Sequence, residues 1–241
     1  KWFGNNDVVV NVIDTYNNKK LRKKFSFSNV DQYFLESITW PKSSFGRVHF
    51  RYNDPGTVIG DVGPCITKNS DISLKYLIGF LNTNICKQLL KLLNDSRSTQ
   101  TGDISKIPIV IDNVENVERL VNENIAIAKE DWNNNETSYG FLTNNLISYN
   151  FQIKNKLEKN HYTLTENYQK IINNDEKLDK IFSEMYGIKI NPDLNNDIEY
   201  LGKPSVEVDI KSLISYLIGV LMGRYSLVEE GLIYAGGEFD N

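Results

Sequence analysis

The sequence contains few of the residues that build metal centres, disulfide frameworks or nucleophilic sites. Its 241 residues include only two cysteines, two histidines and six prolines. Cys65 and Cys86 lack the spacing of a zinc motif, and so few cysteines favour a reduced, cytoplasmic compartment over a secreted disulfide framework. His49 and His161 stand far apart, and the sequence has no Gly-x-Ser-x-Gly elbow and no glycine-rich loop between a strand and a helix. These absences indicate no catalytic residue, no cofactor-binding residue and no metal site.

Long apolar runs are also absent. The longest, Leu213 to Met222, is interrupted by Ser215 and Gly219 and is far shorter than the roughly 20 residues that a bilayer-spanning helix needs. Nothing at the N-terminus resembles a signal peptide. We therefore expect no membrane partner. Because the chain begins at Lys1, directly in strand-like sequence, we expect it to be a piece of a longer protein.

Charge is unevenly distributed along the chain. Residues 1–110 carry 15 Lys and Arg against 9 Asp and Glu, whereas residues 111–241 carry 12 against 22. A partner rich in phosphate would therefore bind the first part. The alternative is that the split is an ordinary fluctuation of charge along a chain.

Hydrophobic periodicity divides the chain at the same place. Residues 7–14 form a β-branched run typical of a strand, and an apolar stripe from residue 74 to residue 92 predicts one helix of about twenty residues. A polar loop, a turn at Gly102-Asp103 and a strand over 107–110 follow. Three amphipathic helices are predicted beyond residue 110, over 114–132, from a capping box at Thr163 to Tyr186 with a stop at Gly187, and over Val206–Tyr225. The last is expected to bury Ile210, Leu213, Ile214, Leu217, Ile218, Leu221 and Met222. We thus predict an α+β fold, with a small mixed-sheet domain over 1–110 and a mainly helical domain over 111–241.

Five cations crowd the tip of a predicted hairpin. They are Lys19, Lys20, Arg22, Lys23 and Lys24. Such a tip suits contact with DNA phosphates, which positions a protein on the duplex without reading its sequence. A solvated turn that keeps the hairpin soluble explains the same residues equally well.

A second group of polar residues follows the pattern of a strand. If residues 45–52 form a strand, Val48, Phe50 and Tyr52 face the core and Arg47, His49 and Arg51 face the other way. Lys42, Ser43 and Ser44 lie on the loop before it. Arginine can bind guanine O6 and N7 through two hydrogen bonds, so this face predicts contact with base edges in DNA. The alternative is a polar strand face that meets only solvent.

Two sets of motifs carry a family resemblance. The helix, polar loop, Gly-Asp turn and Ile107-Pro108-Ile109 run resemble the segment that closes a target recognition domain in adenine-specific DNA methyltransferases and restriction specificity subunits. Longer blocks resemble the C-terminal part of PglX, the adenine-specific methyltransferase family of the BREX phage-defence system. These blocks are Ile38-Thr39-Trp40, Phe50-Arg51-Tyr52, Leu81-Asn82, Gly102-Asp103-Ile104, Lys129-Glu130-Asp131-Trp132, Asn174 to Phe182, Met185-Tyr186-Gly187, Ile214 to Gly219, Met222 to Leu227 and Gly231 to Gly237.

The resemblance implies a parent enzyme that transfers a methyl group from S-adenosylmethionine to adenine N6 in a specific DNA site. The family's Phe-x-Gly-x-Gly and Asn-Pro-Pro-Tyr motifs are missing, and Asn191-Pro192-Asp193 departs from the second at its third position. We therefore expect this part to bind double-stranded DNA, to hold no cofactor itself, and to serve an upstream catalytic domain. The alternative is a protein-interaction module for other phage-defence proteins, since residues 111–241 are acidic.

Overall fold

The computed structural model describes residues 29–44, 48–58, 60, 63–68, 71–94, 96–147, 152–189 and 201–234 of the chain. Within these ranges it has one three-stranded antiparallel sheet and six α-helices, so the predicted α+β class is confirmed. No helix in the described ranges is long and apolar enough to cross a membrane. The strand predicted over 7–14 lies outside the described residues, as do Lys19, Lys20, Arg22, Lys23, Lys24 and Arg47.

The sheet is small, and its middle strand comes first in the chain. Strand β1 (Ser37–Thr39) lies between β2 (Arg51–Asn53) and β3 (Cys65–Thr67), and both pairs are antiparallel. Ile38 at the centre of β1 is fully buried, and Trp40 directly after β1 is buried as well. The sheet therefore anchors its central strand in the core and leaves the residues after Trp40 to form a loop.

The strand predicted over 45–52 is wrong in extent, because β2 begins only at Arg51 and residues 48–50 are not paired with another strand. The side-chain amide of Asn82, rather than a neighbouring strand, bonds the backbone of Phe50. Its Oδ1 accepts the backbone N–H of Phe50 at 3.0 Å, and its Nδ2 donates to the carbonyl of Phe50 at 3.0 Å. Both backbone groups of Phe50 are thereby satisfied without sheet pairing.

Two helices replace the single helix predicted after residue 73. They are α1 (Leu74–Leu81) and α2 (Asn84–Leu93). Thr83 between them has an extended backbone (φ −73°, ψ 157°), and its hydroxyl accepts the N–H of Cys86 at 3.2 Å. This is the geometry of an N-cap, which begins a new helix and so ends the preceding one. The carboxylate of Asp179 also holds this end of α2, because it accepts the backbone and side-chain N–H groups of Asn84, both at 2.7 Å.

The strand predicted over 107–110 is wrong, since this segment pairs with no strand in the structure. Helix α3 (Thr101–Ile104) contains the predicted Gly-Asp turn and precedes the segment. Two tyrosine hydroxyls satisfy the backbone here. That of Tyr186 donates to the Pro108 carbonyl at 2.6 Å and accepts the Val110 N–H at 3.1 Å, and that of Tyr76 accepts the Asp112 N–H at 3.1 Å.

The long helices agree with the sequence in part. Helix α4 (Val114–Asn133) confirms the predicted helix, whereas α5 (Ile153–Tyr186) begins ten residues before the capping box predicted at Thr163. That capping box is wrong because threonine hydroxyls can bond inside a helix: Thr165 donates to the carbonyl of His161, four residues earlier, at 2.8 Å. Gly187 ends α5 with a φ of +62°, as predicted.

Helix α6 (Val206–Leu221) has a different buried face from the predicted one. Leu213 and Tyr216 are buried, but the stripe expected in the core is exposed at Ile214, Leu217, Ile218, Leu221 and Met222. Aromatic packing chooses the face, because the Tyr216 ring stacks 5.0 Å from that of Tyr225 and meets Phe141 edge-on at 6.0 Å. A Cβ on Gly219 would lie 2.6 Å from the Tyr225 ring, so this glycine makes room for it.

The chain divides into two compact units. The first unit comprises residues 1–122 and 175–195, and the second comprises residues 123–174 and 196–241, so α4 and α5 contribute to both. Whether the chain divides by function at residue 110, as its sequence predicts, stays a prediction.

Each unit has its own core. In the first, Gly79 of α1 lies against α4, where a Cβ would be 2.7 Å from Val121 Cγ2, and Phe80 packs 5.2 Å from the ring of Phe182. In the second, one cluster joins Ile127, Ile171 and Leu201, and another joins Phe141, Tyr216 and Tyr225.

Candidate nucleic-acid interface

The loop after β1 lies beside a second polar loop, between α2 and α3. Ser43 forms an isolated antiparallel bridge with Ser98. On either side of it, the Ser44 N–H donates to the Arg97 carbonyl at 3.1 Å, and the Thr99 N–H donates to the Lys42 carbonyl at 3.0 Å. We call residues 42–44 and 96–100 the paired loops. Three of the predicted DNA-binding residues thus lie next to a loop that the sequence left unassigned.

The paired loops are anchored in the core at one point. Trp40 is buried, and its indole Nε1 donates to the Thr99 carbonyl at 3.0 Å. The Trp40 ring lies 5.4 Å from that of Phe50. One buried aromatic residue therefore ties both loops to the residues that precede β2.

Asn94 and Asp103 shape the second loop from within. The Asn94 Nδ2 donates to the Ser98 carbonyl at 2.9 Å and to Asp103 Oδ2 at 2.7 Å, and its Oδ1 accepts the Ser96 N–H at 2.8 Å. The same Asp103 oxygen accepts the Gln100 N–H at 2.9 Å. These bonds, that from Gln100 foremost, lower the pKa of Asp103. The loop is therefore pre-formed, which reduces the entropy lost when it binds a partner.

The paired loops carry polar side chains at the surface. The side chains of Ser43, Ser96, Arg97 and Gln100 are exposed, and those of Lys42 and Ser44 are half-buried. Lysine and arginine donate to phosphate oxygens, and serine and glutamine reach either phosphates or base edges. The sequence did not identify Ser96, Arg97 and Gln100 as candidate binding residues. Their only signal was their place in a Ser/Thr-rich loop, because the loop that lies beside them, residues 42–44, is more than fifty residues away in the chain.

Arg51 lies at the same end of the sheet as the paired loops. It is exposed on β2 and pairs with Thr39, the last residue of β1. Phe50 beside it is buried, whereas Val48 and His49, predicted to face opposite ways, are both half-buried. The Asn82 amide that holds Phe50 fixes the backbone between His49 and Arg51. Its place directly after Leu81, in a family motif, was the only signal for this role.

Tyr52 points to the opposite side of β2 from Arg51. Its hydroxyl donates to the carboxylate of Glu36, and burial together with that carboxylate raises the pKa of Tyr52. The residue is therefore part of the support for the strand, as the sequence predicts for the Val48, Phe50 and Tyr52 face.

The two histidines have separate surroundings. His49 lies in the first unit, whereas His161 lies in the second with its Nε2 2.7 Å from Asp209 Oδ2. Cys65 is half-buried and Cys86 is buried, and neither forms a disulfide. Among the described residues no three His, Cys, Asp or Glu side chains come together as a metal site would require.

Comparison with known proteins gives relatives of one kind. The chain is 29% identical to the adenine-specific methyltransferase PglX of Lacticaseibacillus casei (strain Zhang) over 255 aligned residues, which cover 100% of the chain and 21% of the relative. It is also 29% identical to the adenine-specific methyltransferase BrxX of Escherichia coli O9:H4 (strain HS) over 257 aligned residues, which cover 98% of the chain and 21% of that relative. No family model matches the chain. The chain thus spans about a fifth of the length of these relatives, and over that span it is homologous to one region of the PglX and BrxX adenine-specific methyltransferases, as its motifs predict.

Proposed function

We propose that this chain is the DNA-recognition part of a site-specific adenine-N6 methyltransferase that marks host DNA in phage defence. One observation carries the proposal: a pre-formed, polar pair of loops with Lys42 and Arg97 lies at the end of the sheet where Arg51 is exposed. Because the substrate would be host DNA, the protein would act in the cytoplasm. Residues 1–110 would grip and read the duplex, and the helices beyond would support them.

The chemistry of the parent reaction explains why such a part exists. An enzyme that methylates a base must flip it out of the stack, so the residues that choose the site are separate from those that act on the flipped base. S-adenosylmethionine and the transfer step would belong to a catalytic domain upstream of this chain. No residue here is assigned to the cofactor.

Charge agrees with a DNA partner for the first unit. That unit carries 19 Lys and Arg against 17 Asp and Glu, whereas the second carries 8 against 14. Lys19, Lys20, Arg22, Lys23 and Lys24 would neutralise phosphates. Arg47, His49 and Arg51 would contact base edges, and Lys42, Ser43 and Ser44 would bind the backbone beside them.

A selection experiment tests the proposal. A pool of DNA duplexes with a randomised centre is enriched on the 241-residue chain and sequenced, first for the unmodified protein and then for Arg51→Ala. A base-edge contact supplies about 1–3 kcal/mol of discrimination, so Arg51→Ala should relax the preference at one position of the selected site. Lys154→Ala, an exposed cation of the second unit, is the matched control and should leave the selected site unchanged. A pool with no sequence enrichment for the unmodified chain would contradict the proposal.

A second candidate function is supported by the exposed stripe on α6. Ile214, Ile218, Leu221 and Met222 of α6 are each at least half exposed, and neighbouring exposed apolar side chains often mark a protein contact. We propose the upstream catalytic domain as its occupant, because the relatives are four to five times longer than this chain and the domain would be tethered nearby. In this function the acidic second unit binds protein, and DNA contact is minor.

The two candidates share one expectation about the gene upstream of Lys1. Both require an open reading frame that encodes a Phe-x-Gly-x-Gly loop and an Asn-Pro-Pro-Tyr motif. Leu221→Glu in the complete enzyme should then release the catalytic domain from this part, measured as faster hydrogen exchange along α6. Unchanged exchange would remove the catalytic domain as the occupant, and binding to a second copy or to another defence protein would show as a change in mass by light scattering.

A further inference from the structure

A groove lies between α4 and α5 in the first unit. Its cavity volume is about 350 Å³. It is lined by Asn116, Arg119, Lys177, Lys180, Ile181 and Glu184. None of these residues is among the predicted DNA-binding residues, and all of them lie in the compact unit that contains the paired loops.

Helical spacing explains why these side chains meet. On α5, the lining residues Lys180, Ile181 and Glu184 lie three, four and seven residues after Lys177. The four side chains therefore share one face of the helix. On α4, Asn116 and Arg119 are three residues apart, and the Arg119 Nη2 donates to Asn116 Oδ1 at 2.9 Å. The residues next to them, including Val117, Leu120, Leu178 and Phe182, are buried in the core, which fixes both helix faces along the groove.

The distribution of charge around the groove is selective. The two helix stretches that form it, 114–122 and 175–186, contain three Lys or Arg residues and six Asp or Glu residues. All three cations line the groove, whereas Glu184 is the one acidic residue of the six that does so. Two acidic helix stretches thus place their positive charge together on one concave surface.

We propose that this groove binds the sugar-phosphate backbone of duplex DNA, as a contact that does not depend on sequence. The proposal rests on the proposed function, because that function supplies the duplex. The alkyl stems of Lys177 and Lys180 with Ile181 offer an apolar wall to a sugar, and the three cations surround the position of a phosphate. Glu184 repels phosphate, so the phosphate would lie beside the cations and away from this carboxylate. The helices beyond residue 110 would then contribute to the grip as well as supporting the recognition loops.

Salt-dependent binding tests the groove. Arg119→Ala, Lys177→Ala and Lys180→Ala are combined in the 241-residue chain, and affinity for a duplex of the selected sequence is measured at several salt concentrations. Each lost phosphate contact lowers the slope of log affinity against log salt by about 0.9, so a decrease of about 1–3 is expected. The preference for the selected sequence over a scrambled one should stay the same. Glu184→Gln should raise the affinity for both.

The control removes the same number of positive charges, all from α5. Lys154→Ala, Lys159→Ala and Lys170→Ala are exposed substitutions on α5 in the second unit, and they should change the salt slope by less than half as much. Circular dichroism of both triple variants checks that each is folded.

The outcomes distinguish this inference from the function on which it rests. If the groove variant keeps its salt slope while Arg51→Ala still relaxes the selected site, the groove binds no DNA and the inference is overturned alone. If the unmodified chain shows no salt-dependent binding, the proposed function is contradicted as well. Polyglutamate serves as a probe for an acidic protein partner. If the groove variant loses polyglutamate binding without any change in DNA binding, the groove binds an acidic protein, and the inference is also overturned.

Discussion

The two compact units contain the same four residues, Tyr-Leu-Ile-Gly, within a helix: residues 76–79 in α1 and residues 216–219 in α6. Both tyrosines are buried, and both glycines face the closest neighbour of their helix. The isoleucines differ, because Ile78 is 5% exposed and Ile218 is 50% exposed. Identical local sequence thus gives a buried Tyr and a closely packed Gly in both units, although the residues that they meet differ, while the remaining packing of each unit decides the exposure of Ile.

The comparison bears on function. In the first unit the helix is enclosed, and its far end holds Phe50 through Asn82, so burial there supports the chain that presents His49 and Arg51. In the second unit the matching helix leaves an apolar face to solvent. A rigid support suits the reading of DNA, and an open apolar face suits a protein contact.

The largest expected effect on stability is the difference between substitutions of the two isoleucines, Ile78 and Ile218. Ile78→Ala should lower the free energy of unfolding by about 2–4 kcal/mol, because it leaves a cavity in a closed core. Ile218→Ala should change it by less than about 0.5 kcal/mol, since its side chain is half in solvent already. Urea titration gives the totals, and hydrogen exchange reports each unit separately. Equal costs would mean that the α6 face is covered in solution.

A smaller and equal effect is expected at the two tyrosines. The Tyr76 hydroxyl bonds backbone groups of residues 110 and 112, and the Tyr216 hydroxyl donates to the Ser226 carbonyl at 2.9 Å. Each hydroxyl also accepts a hydrogen bond, from the Asp112 N–H for Tyr76 and from the Thr143 hydroxyl for Tyr216. Tyr76→Phe and Tyr216→Phe should therefore each cost about 1–3 kcal/mol, at about 0.5–1.5 kcal/mol for each net hydrogen bond. A difference between them of more than about 1 kcal/mol would show that the tyrosines do not play matching parts.

The sequence predicts a helix correctly where its apolar residues form one stripe that can pack in only one way. The buried residues Val117, Leu120 and Val121 recur at helical spacing and correctly predict α4. Prediction fails where the deciding contact is distant. Nothing near Asn82 shows that its amide binds Phe50, thirty-two residues away, and so residues 48–50 are predicted as part of a strand although they pair with none.

The site was recoverable from sequence to the same extent. Lys42, Ser43 and Ser44 were predicted from their polar character, but their pairing with residues 97–99 depends on a crossing of two loops. On α6 the apolar stripe covers more than half of the helix, so periodicity alone does not choose between the face that meets Tyr225 and the face that meets solvent. The aromatic stack makes that choice.

The smallest expected effect concerns acid and the paired loops. Bonds from Gln100 and Asn94 lower the pKa of Asp103, so this carboxylate stabilises the fold above its unfolded pKa, and the contribution is lost as the pH falls through its folded pKa. Asp103→Asn should therefore reduce the acid sensitivity of the first unit. The urea midpoint, followed from about pH 6 to about pH 2.5 for both proteins, measures this, spanning the usual carboxyl range. A steeper acid dependence in the variant would contradict the account.

The most direct measurement of the central claim is hydrogen exchange of the 241-residue chain with and without duplex DNA of the selected sequence. We predict slower exchange in the paired loops, residues 42–44 and 96–100, and around Arg51, with no change along the exposed face of α6. Protection confined to α6, with the paired loops unaffected, would contradict the assignment of DNA recognition to this part of the protein.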